Sequence, residues 1–423
     1  MTGLSEMEFL ELLSLAITSV FLLVILSYYV LFFLRIKKPE PSRKFSSISI
    51  IIPAHNEEDY IKEALESVIA SDFDGSKEII VVDDGSDDKT TEIAKSFSQV
   101  KLIQTSHSGK AASMNRALSE AKGGLIAIVD GDSSISPNSL KELALEVGRD
   151  NVAAACCPVK VKNRKNFICM WLHIAEIYFS LMRGLFSKIN ANITTPGPLS
   201  VYRKKELLSV GGFSTEGYSE DADVTIRLIR KGYRIGFCEN AVAETNMPKT
   251  AKGFFRQRAR FAKGLINLLK KHMKLNKAAI DIYTLPMFLF TYIQSVIMGS
   301  LSIYQIISGY LTYFYSKGVY FNFLVLKFFF EWFSIVGFFR WMLSIASGAV
   351  PLTLLAALGI ISTLLTYPLY IFAILKFDRK IDIWHIIPVF FMFPFWLVIM
   401  VIHVISLPEA FRKEQYNIWE KNE

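Results

Sequence analysis

Carboxylates recur in this chain where apolar runs stop. Asp83 and Asp84 follow Glu78-Ile79-Ile80-Val81-Val82, and Asp130 and Asp132 follow Leu125-Ile126-Ala127-Ile128-Val129. Glu220 and Asp221 open a stretch that continues through Val224, Ile226 and Leu228 at helical spacing. Each pair suggests its own chemistry. An acidic residue at a strand end can accept hydrogen bonds from ribose hydroxyls or a base N–H, as in dinucleotide crevices. The same Asp-Gly sequence also makes an ordinary turn that caps the next helix. Asp130-Gly131-Asp132 offers hard oxygen ligands, which suit Mg2+ or Mn2+ and allow the ion to bridge to phosphate. Where a diphosphate leaves, negative charge grows on its oxygen, and a metal neutralises it as a Lewis acid. A carboxylate at a helix start is fixed in position and can take a proton from a hydroxyl, although the helix dipole also lowers its pKa. Capping of the helix uses the same residue.

Cations complete the set. Ser108-Gly109-Lys110 places a lysine at a glycine-bearing helix start, where it can meet a diphosphate. Gln257-Arg258-Ala259-Arg260-Phe261 offers Arg260 to the same group and an aromatic face to a sugar ring. A solvated lysine and the basic face of an interfacial helix are the plainer readings of these two. Ile52-Pro53-Ala54-His55-Asn56-Glu57-Glu58 runs from a strand end into a helix start, where acids also suit the dipole.

The elements that must position these residues are legible in the hydrophobic pattern. Ile48-Ser49-Ile50-Ile51-Ile52, the run from Glu78 to Val82 and the run from Leu125 to Val129 are nearly continuous rather than alternating. Strands covered on both faces of a parallel sheet read this way. Helix-compatible stretches lie between them, near 57–70, 87–98 and 109–121. Alternation of strand and helix predicts an α/β, doubly wound sheet, with ligands at the carboxyl ends of its strands.

The bulk composition adds a second environment. Of 423 residues, 52% are hydrophobic and 13% aromatic, and mean hydropathy is +0.33. That balance points to bilayer segments rather than to one large core. The net charge is +8, and much of the basic excess flanks apolar segments, as in Arg35-Ile36-Lys37-Lys38 and Lys270-Lys271-His272-Met273-Lys274. This favours a lipid bilayer over nucleic acid, and neither a zinc spacing nor an aromatic-interleaved basic repeat supports nucleic acid. The cysteines, Cys156, Cys157, Cys169 and Cys238, form no CxxC and are expected as buried thiols.

Residues from about Leu13 to Leu34 are long and apolar enough to span. The run is too long for a signal peptide and no basic stretch precedes it. The basic residues after it place the following domain in the cytoplasm. An amphipathic stretch at about 252–275 fits a helix lying in the membrane interface. Four apolar segments follow, near 284–312, 319–342, 350–376 and 383–407. Four crossings return the C-terminus to the cytoplasm but leave the basic loop Lys376-Phe377-Asp378-Arg379-Lys380 outside. The segment 319–342 carries Glu331 and Arg340, and a re-entrant path there changes the count. The expected organisation is an anchor and linker (1–45), a catalytic domain (46–250), interfacial helices (251–282), membrane helices (283–410) and a cytoplasmic tail (411–423).

Taken together and in this order, the motifs resemble those of the membrane-bound family 2 glycosyltransferases, which include hyaluronan, cellulose and poly-N-acetylglucosamine synthases. The last branch is the most similar. The resemblance covers 46–270 in motif and the whole chain in layout. It implies a GT-A nucleotide-sugar-binding domain inserted between transmembrane helices. It also implies inverting transfer from a nucleotide-diphosphate sugar, UDP-linked as in UDP-GlcNAc, to a growing glycan through a β-linkage. Transfer of one sugar to a lipid acceptor is the rival within the class. An inactive membrane scaffold is the rival outside it, but that predicts damage to an acidic set that is complete here.

By this resemblance Asp83 and Asp84 bind the nucleoside, with Lys110 nearby and Pro53 and Glu57 on the donor side. Asp130 and Asp132 hold the metal, with Asp130 also beside the donor. Asp221 is the general base, preceded by Glu220. Gln257 and Arg260 lie near the diphosphate, and Phe261 near the acceptor. Gly197, in Thr195-Pro196-Gly197-Pro198, stands in the acceptor loop before Gly211-Gly212-Phe213. Phe261 replaces the family's Trp, keeping a stacking face and losing the indole N–H. Ser219 replaces the Thr that opens the base motif.

Overall fold

The computed structural model describes residues 6–274 and 277–412. They form two compact units, one of Arg35–Pro286 with 408–412, the other of 6–34 with Met287–Leu407. Helix α1 (Glu6–Phe33) opens the chain. The α/β unit then alternates: β1 (Ser47–Ala54), α2 (Ile61–Ala70), β2 (Ser76–Asp83), α3 (Thr90–Lys95), β3 (Val100–Gln104), α4 (Lys110–Glu120) and β4 (Leu125–Ile128). Pairing of β1 with β2 and β4, and of β2 with β3, is parallel throughout. There follow β5 (Ser133–Ile135), α5 (Ser139–Val147), β6 (Val152–Cys156), β7 (Val159–Val161), α6 (Phe167–Lys188), β8 (Ser200–Arg203), α7 (Lys204–Ser209), α8 (Glu220–Arg230), β9 (Arg234–Phe237), β10 (Ala243–Thr245) and α9 (Ala251–His272).

The main sheet runs β3-β2-β1-β4-β8-β6-β9, and a small one runs β5-β10-β7. Strand β8 is antiparallel to β4 and β6, which makes the sheet mixed. The expected doubly wound fold is therefore present, and its cause is visible in β1. Ile48, Ile50, Ile51 and Ile52 are all fully buried. Truncating one of them to Ala would cost about 2–5 kcal/mol. The polar breaks in these runs satisfy each other: Ser49 donates to Glu78 and accepts from Gly123 N at 2.8 Å. Helix α9 starts where Thr250 caps Gly253 N at 3.1 Å, and it buries Phe254, Ala262, Ile266 and Leu269. All four cysteines are free and buried, in line with the expected thiols.

The second unit bears on the expected apolar segments, above all on 319–342. By length and hydropathy four segments of the described chain could span: Glu8–Phe33, Ile280–Lys317, Leu354–Phe377 and Met392–Phe411. After α10 (Leu285–Tyr313), residues 319–342 form no spanning helix. They fall into α11 (Phe323–Trp332) and the first part of α12 (Ile335–Ala346), and Arg340 pairs with Glu331 across the break. Glu331 and Arg340 thus reach each other because the chain bends, while Lys327 faces Glu331 within α11.

Helix α13 (Leu354–Phe377) runs parallel to α1, with Tyr29 donating to Leu365 O at 2.7 Å and Phe32 stacked on Phe372 at 5.0 Å. The basic loop after Lys376 therefore emerges at the end where α1 hands the chain to residue 35. Tyr28 meets Met287 at 3.3 Å, so α10 begins at that same end. Helix α14 (Ile383–Phe390) leaves from there, and α15 (Met392–Ser406) returns antiparallel to α10, with Tyr292 on His403 O at 2.8 Å and Gly299 facing Met400. The end of α15 thus returns to the end where α10 begins. Of the expected tail, 413–423 lie outside the described residues.

Candidate active site

Loops at the carboxyl ends of β1, β2 and β4 build one floor. Asn56 N donates to Ser86 Oγ at 2.9 Å, Asp87 N donates to Asn56 Oδ1 at 3.0 Å, and Glu57 N donates to Thr90 Oγ1 at 2.7 Å. The turns after β1 and β2 are thereby laced together. A Cβ placed on Gly131 would stand 3.3 Å from Pro53 O and 3.2 Å from Glu57 Cγ, which puts both residues beside the loop after β4.

Asp83 and Asp84 lie at this floor but spend their lone pairs inside the protein. Asp83 accepts from Ser86 N at 3.0 Å and from the Thr91 hydroxyl. Asp84 is fully buried. It accepts from Thr105 Oγ1 at 2.7 Å, Ser108 N at 2.8 Å, Ser108 Oγ at 3.1 Å and Gly109 N at 2.8 Å. Burial alone would raise its carboxyl, but these donors outweigh burial and hold it below the usual carboxylate range. Asp84 fixes the loop that delivers Lys110, the first residue of α4.

Lys110 is where the distant motifs converge. Its Nζ lies 2.5 Å from Asp130 Oδ1 and 3.6 Å from Glu220 Oε1. Burial disfavours this ammonium, yet Asp130 and Glu220 more than compensate and raise its pKa. Gly197 closes the same space. It accepts from Asp130 N through its carbonyl at 3.1 Å. A Cβ there would run into the Asp130 carboxylate and stand 2.7 Å from Lys110 Nζ, so any side chain at this position would push the charged ends apart.

Asp132 sits deeper, accepting from Ser133 Oγ at 2.9 Å and Thr245 Oγ1 at 3.3 Å. Burial, then the charge of Asp130, pushes its carboxyl up to about 6. Two carboxylates whose charges oppose each other in a desolvated place suit a divalent cation. The residues present therefore fit Mg2+ or Mn2+, with Asp130 and Asp132 as the pair that could hold it.

Asp221 stands in the first turn of α8, where its Oδ1 accepts from Ala222 N at 2.8 Å. Burial and then the adjacent Glu220 raise its carboxyl to about 7, against the pull of Lys110. Its own carbonyl accepts from Thr225 Oγ1 at 2.6 Å and Thr195 Oγ1 at 3.4 Å. Thr195 also meets Tyr202 OH at 2.7 Å, so a buried hydroxyl cluster holds α8 on the loop that carries Gly197. Sequence reasoning missed Thr225 and Tyr202. The run Thr195-Pro196-Gly197-Pro198 was the one signal for the cluster.

Helix α9 lies against the start of α8: a Cβ on Gly264 would meet the Ser219 side chain and stand 3.5 Å from Tyr218 Cβ. Arg260 is one turn earlier on that face. It makes no hydrogen bond or ion pair among the described residues and lies 5.9 Å from the Phe261 ring. Phe261 is 44% exposed. Gln257 instead is buried and donates to Met247 Sδ at 3.2 Å. Arg258 is buried too, pairing with Glu176 at 3.4 Å, a link without any local sequence signal. The described contacts thus join Lys110, Asp130, Gly197 and Glu220 directly, with Pro53 and Glu57 beside Gly131 and with Asp132 and Asp221 as chain neighbours of that set. They show no contact of Gln257 or Phe261 with it.

A mixed α/β sheet with carboxylates at its strand ends around one lysine defines a nucleotide-sugar-binding fold of the GT-A type. Residues 49–208 match the family model described as Glycosyl transferase family 2. Within the α/β unit, that segment is a family 2 glycosyltransferase domain. The chain is 30% identical over 272 residues to "Probable glycosyltransferase YdaM" of Bacillus subtilis, covering 60% of this chain and 64% of that one. It is 24% identical over 238 residues to "Poly-beta-1,6-N-acetyl-D-glucosamine synthase" of Staphylococcus aureus, covering 54% and 57%. It thus spans roughly three-fifths of the length of these curated relatives. Among solved structures, the mannosyltransferase PcManGT of Pyrobaculum calidifontis, in complex with GDP-Man and Mn2+, shares the fold with a TM-score of 0.58 at 20% identity, over 94% of this chain and 99% of that one.

Proposed function

We propose that the chain is an inverting glycosyltransferase that moves a sugar from a UDP-linked donor, UDP-GlcNAc as the first choice, to a growing glycan at the membrane. The observation that carries this reading is Lys110 Nζ held between Asp130 and Glu220, which gathers three motifs around one place for a diphosphate. The GlcNAc assignment rests on the name of the staphylococcal relative, a poly-N-acetylglucosamine synthase.

Asp221 takes the proton of the acceptor hydroxyl. The freed oxygen attacks the anomeric carbon opposite the diphosphate, the bond from that carbon to the diphosphate oxygen breaks, and the configuration inverts to β. Lys110 and Arg260 receive the charge that builds on the departing oxygen. Asp130 and Asp132 would hold a divalent cation, which when bound supplies Lewis-acid neutralisation of that same charge. Asp83 and Asp84 serve the donor by fixing the loops around it. Phe261 offers its exposed face to the acceptor.

The basic residues after α1 and α13 leave the membrane unit at one end, and the positive-inside rule puts that end, and with it the catalytic domain, in the cytoplasm. The test is incubation of membranes holding the chain with radiolabelled nucleotide sugars and Mn2+, followed by product sizing. A ladder from UDP-GlcNAc is expected. A single glycolipid product would replace the polymer by single transfer, and no incorporation from any donor would overturn the reading.

A further inference from the structure

Behind the proposed base, α8 carries a carboxylate that no step of the transfer uses. Asp223 is 3% exposed. Its Oδ1 accepts from His272 Nε2 at 2.9 Å and Lys271 Nζ at 2.9 Å, and its Oδ2 from Arg227 Nε at 2.7 Å. Burial would raise its carboxyl, but the bonds from His272 and Lys271 and the charge of Arg227 outweigh burial and keep it ionised. His272, the last residue of α9, is equally buried. Its Nδ1 lies 3.1 Å from Arg230 Nη1. A guanidinium can only donate, so Nδ1 accepts from Arg230 and Nε2–H donates to Asp223.

The chain of bonds continues in both directions. Arg230 Nη2 donates to His272 O at 2.6 Å and to Asp281 Oδ1 at 2.6 Å, in the π-helical turn Ile280–Thr284. Arg227 Nη2 donates to Gly212 O at 2.7 Å. The brace therefore runs from the turn at Gly212, through α8, to the end of α9 and the turn beyond it. Buried ion pairs gain little net stability over apolar packing of the same volume, and what they add is direction. Helix α9 meets α8 at Gly264 beside Ser219 and again at His272 on Asp223. Two contacts about two turns apart fix an angle as well as a distance. In a displacement with inversion, base and leaving-group cation must stand on opposite sides of one carbon. Asp221 rides on α8 and Arg260 on α9.

We propose that His272 is a positioning residue: it locks α9 onto Asp223 and so sets the separation of Asp221 from Arg260. This rests on the transfer reading above. His272→Phe keeps an aromatic ring, somewhat larger, but loses both side-chain hydrogen bonds, whereas His272→Gln restores a donor and an acceptor. The measurements, on the full chain in membranes, are UDP-GlcNAc binding with Mn2+, which counts competent sites, and turnover per site. We expect His272→Phe to lower kcat per binding site at least tenfold with the donor Kd within twofold. His272→Gln should stay within threefold of the parent. A merely structural histidine changes the number of sites and leaves turnover per site alone. Unchanged turnover per site in His272→Phe, or Gln no better than Phe, overturns the proposal. A parent that neither binds nor turns over the donor overturns the functional reading first and this one with it.

Discussion

Two carboxylate pairs look alike in sequence at the ends of β2 and β4, the parallel strands on either side of β1: Asp83-Asp84 and Asp130-Gly131-Asp132. The fold treats them in opposite ways. Asp84 is saturated by Thr105, Ser108 and Gly109 and held below the usual range, as a group does when its surroundings are built for its charge. Asp130 instead shares Lys110 with Glu220, and Asp132 has two hydroxyls for partners and is pushed up. A carboxylate filled by backbone donors holds a loop. One that faces another carboxylate and an ammonium holds charge that a ligand can take over. The comparison predicts that mutations at the two strand ends fail in different ways.

The largest effect belongs to the group that neither pair replaces. Asp221→Asn removes the proposed base and leaves Lys110, Asp130 and Asp132 in place. Turnover should fall by about 10³-fold or more, within the range for a lost general base, while UDP-GlcNAc affinity stays within a few-fold. Unchanged turnover would remove Asp221 from the mechanism. Asp132→Ala should act on binding instead. Donor affinity in Mn2+ should drop at least about tenfold, because a hard oxygen ligand is lost. Equal Mn2+-dependent binding by mutant and parent would contradict that role and erase the difference between the strand ends.

Asp84→Ala tests the other side. It strands the N–H groups of Ser108 and Gly109, the second of them buried, a loss of roughly 2 kcal/mol, seen as a lower Tm. Donor affinity should follow only as Lys110 is misplaced. The sign of the pH dependence is fixed by the lowered pKa. The stabilisation from Asp84 is fully present above the unfolded value of about 3.9 and lost as pH falls through the folded one. The Ala variant should therefore approach the parent in stability only in acid. A variant with parental Tm and weakened donor binding would make Asp84 a ligand-binding group and not a loop anchor.

Much of this was legible because continuous apolar runs such as Ile50-Ile51-Ile52 admit little but buried parallel strands, and motifs at their ends must then share one edge. What the runs do not contain is who satisfies whom. Asp84 is saturated by residues more than twenty positions later in the chain, delivered by β3. Arg258 and Glu176 are 82 residues apart, and His272 meets Asp223 across 49. The break in 319–342 was hinted at by Glu331 and Arg340, but their pairing required the bend to exist. Gln257 reads as a ligand-facing residue by motif, yet its burial against Met247 is set by a strand-end loop that its own sequence does not show.

The subtlest consequence of the comparison is in the pH profile. Burial and Glu220 together lift Asp221 to about 7, far above Asp84, although both are aspartates near the same cleft. Only the ionised form can take a proton, so kcat/KM should climb as pH rises and level off above about 7, with a tenfold change per unit on the acid side. Stability carries the opposite sign. Between about 3.9 and 7 the folded chain holds a proton that the unfolded chain has lost, so this group's contribution declines as pH rises. Glu220→Gln removes the second cause of the shift and leaves Lys110 pulling downward. The acid limb should move to lower pH in this variant, whatever happens to its height. A limb that stays in place would mean that the group titrating in turnover is not Asp221, and would leave the strand-end comparison standing without its base.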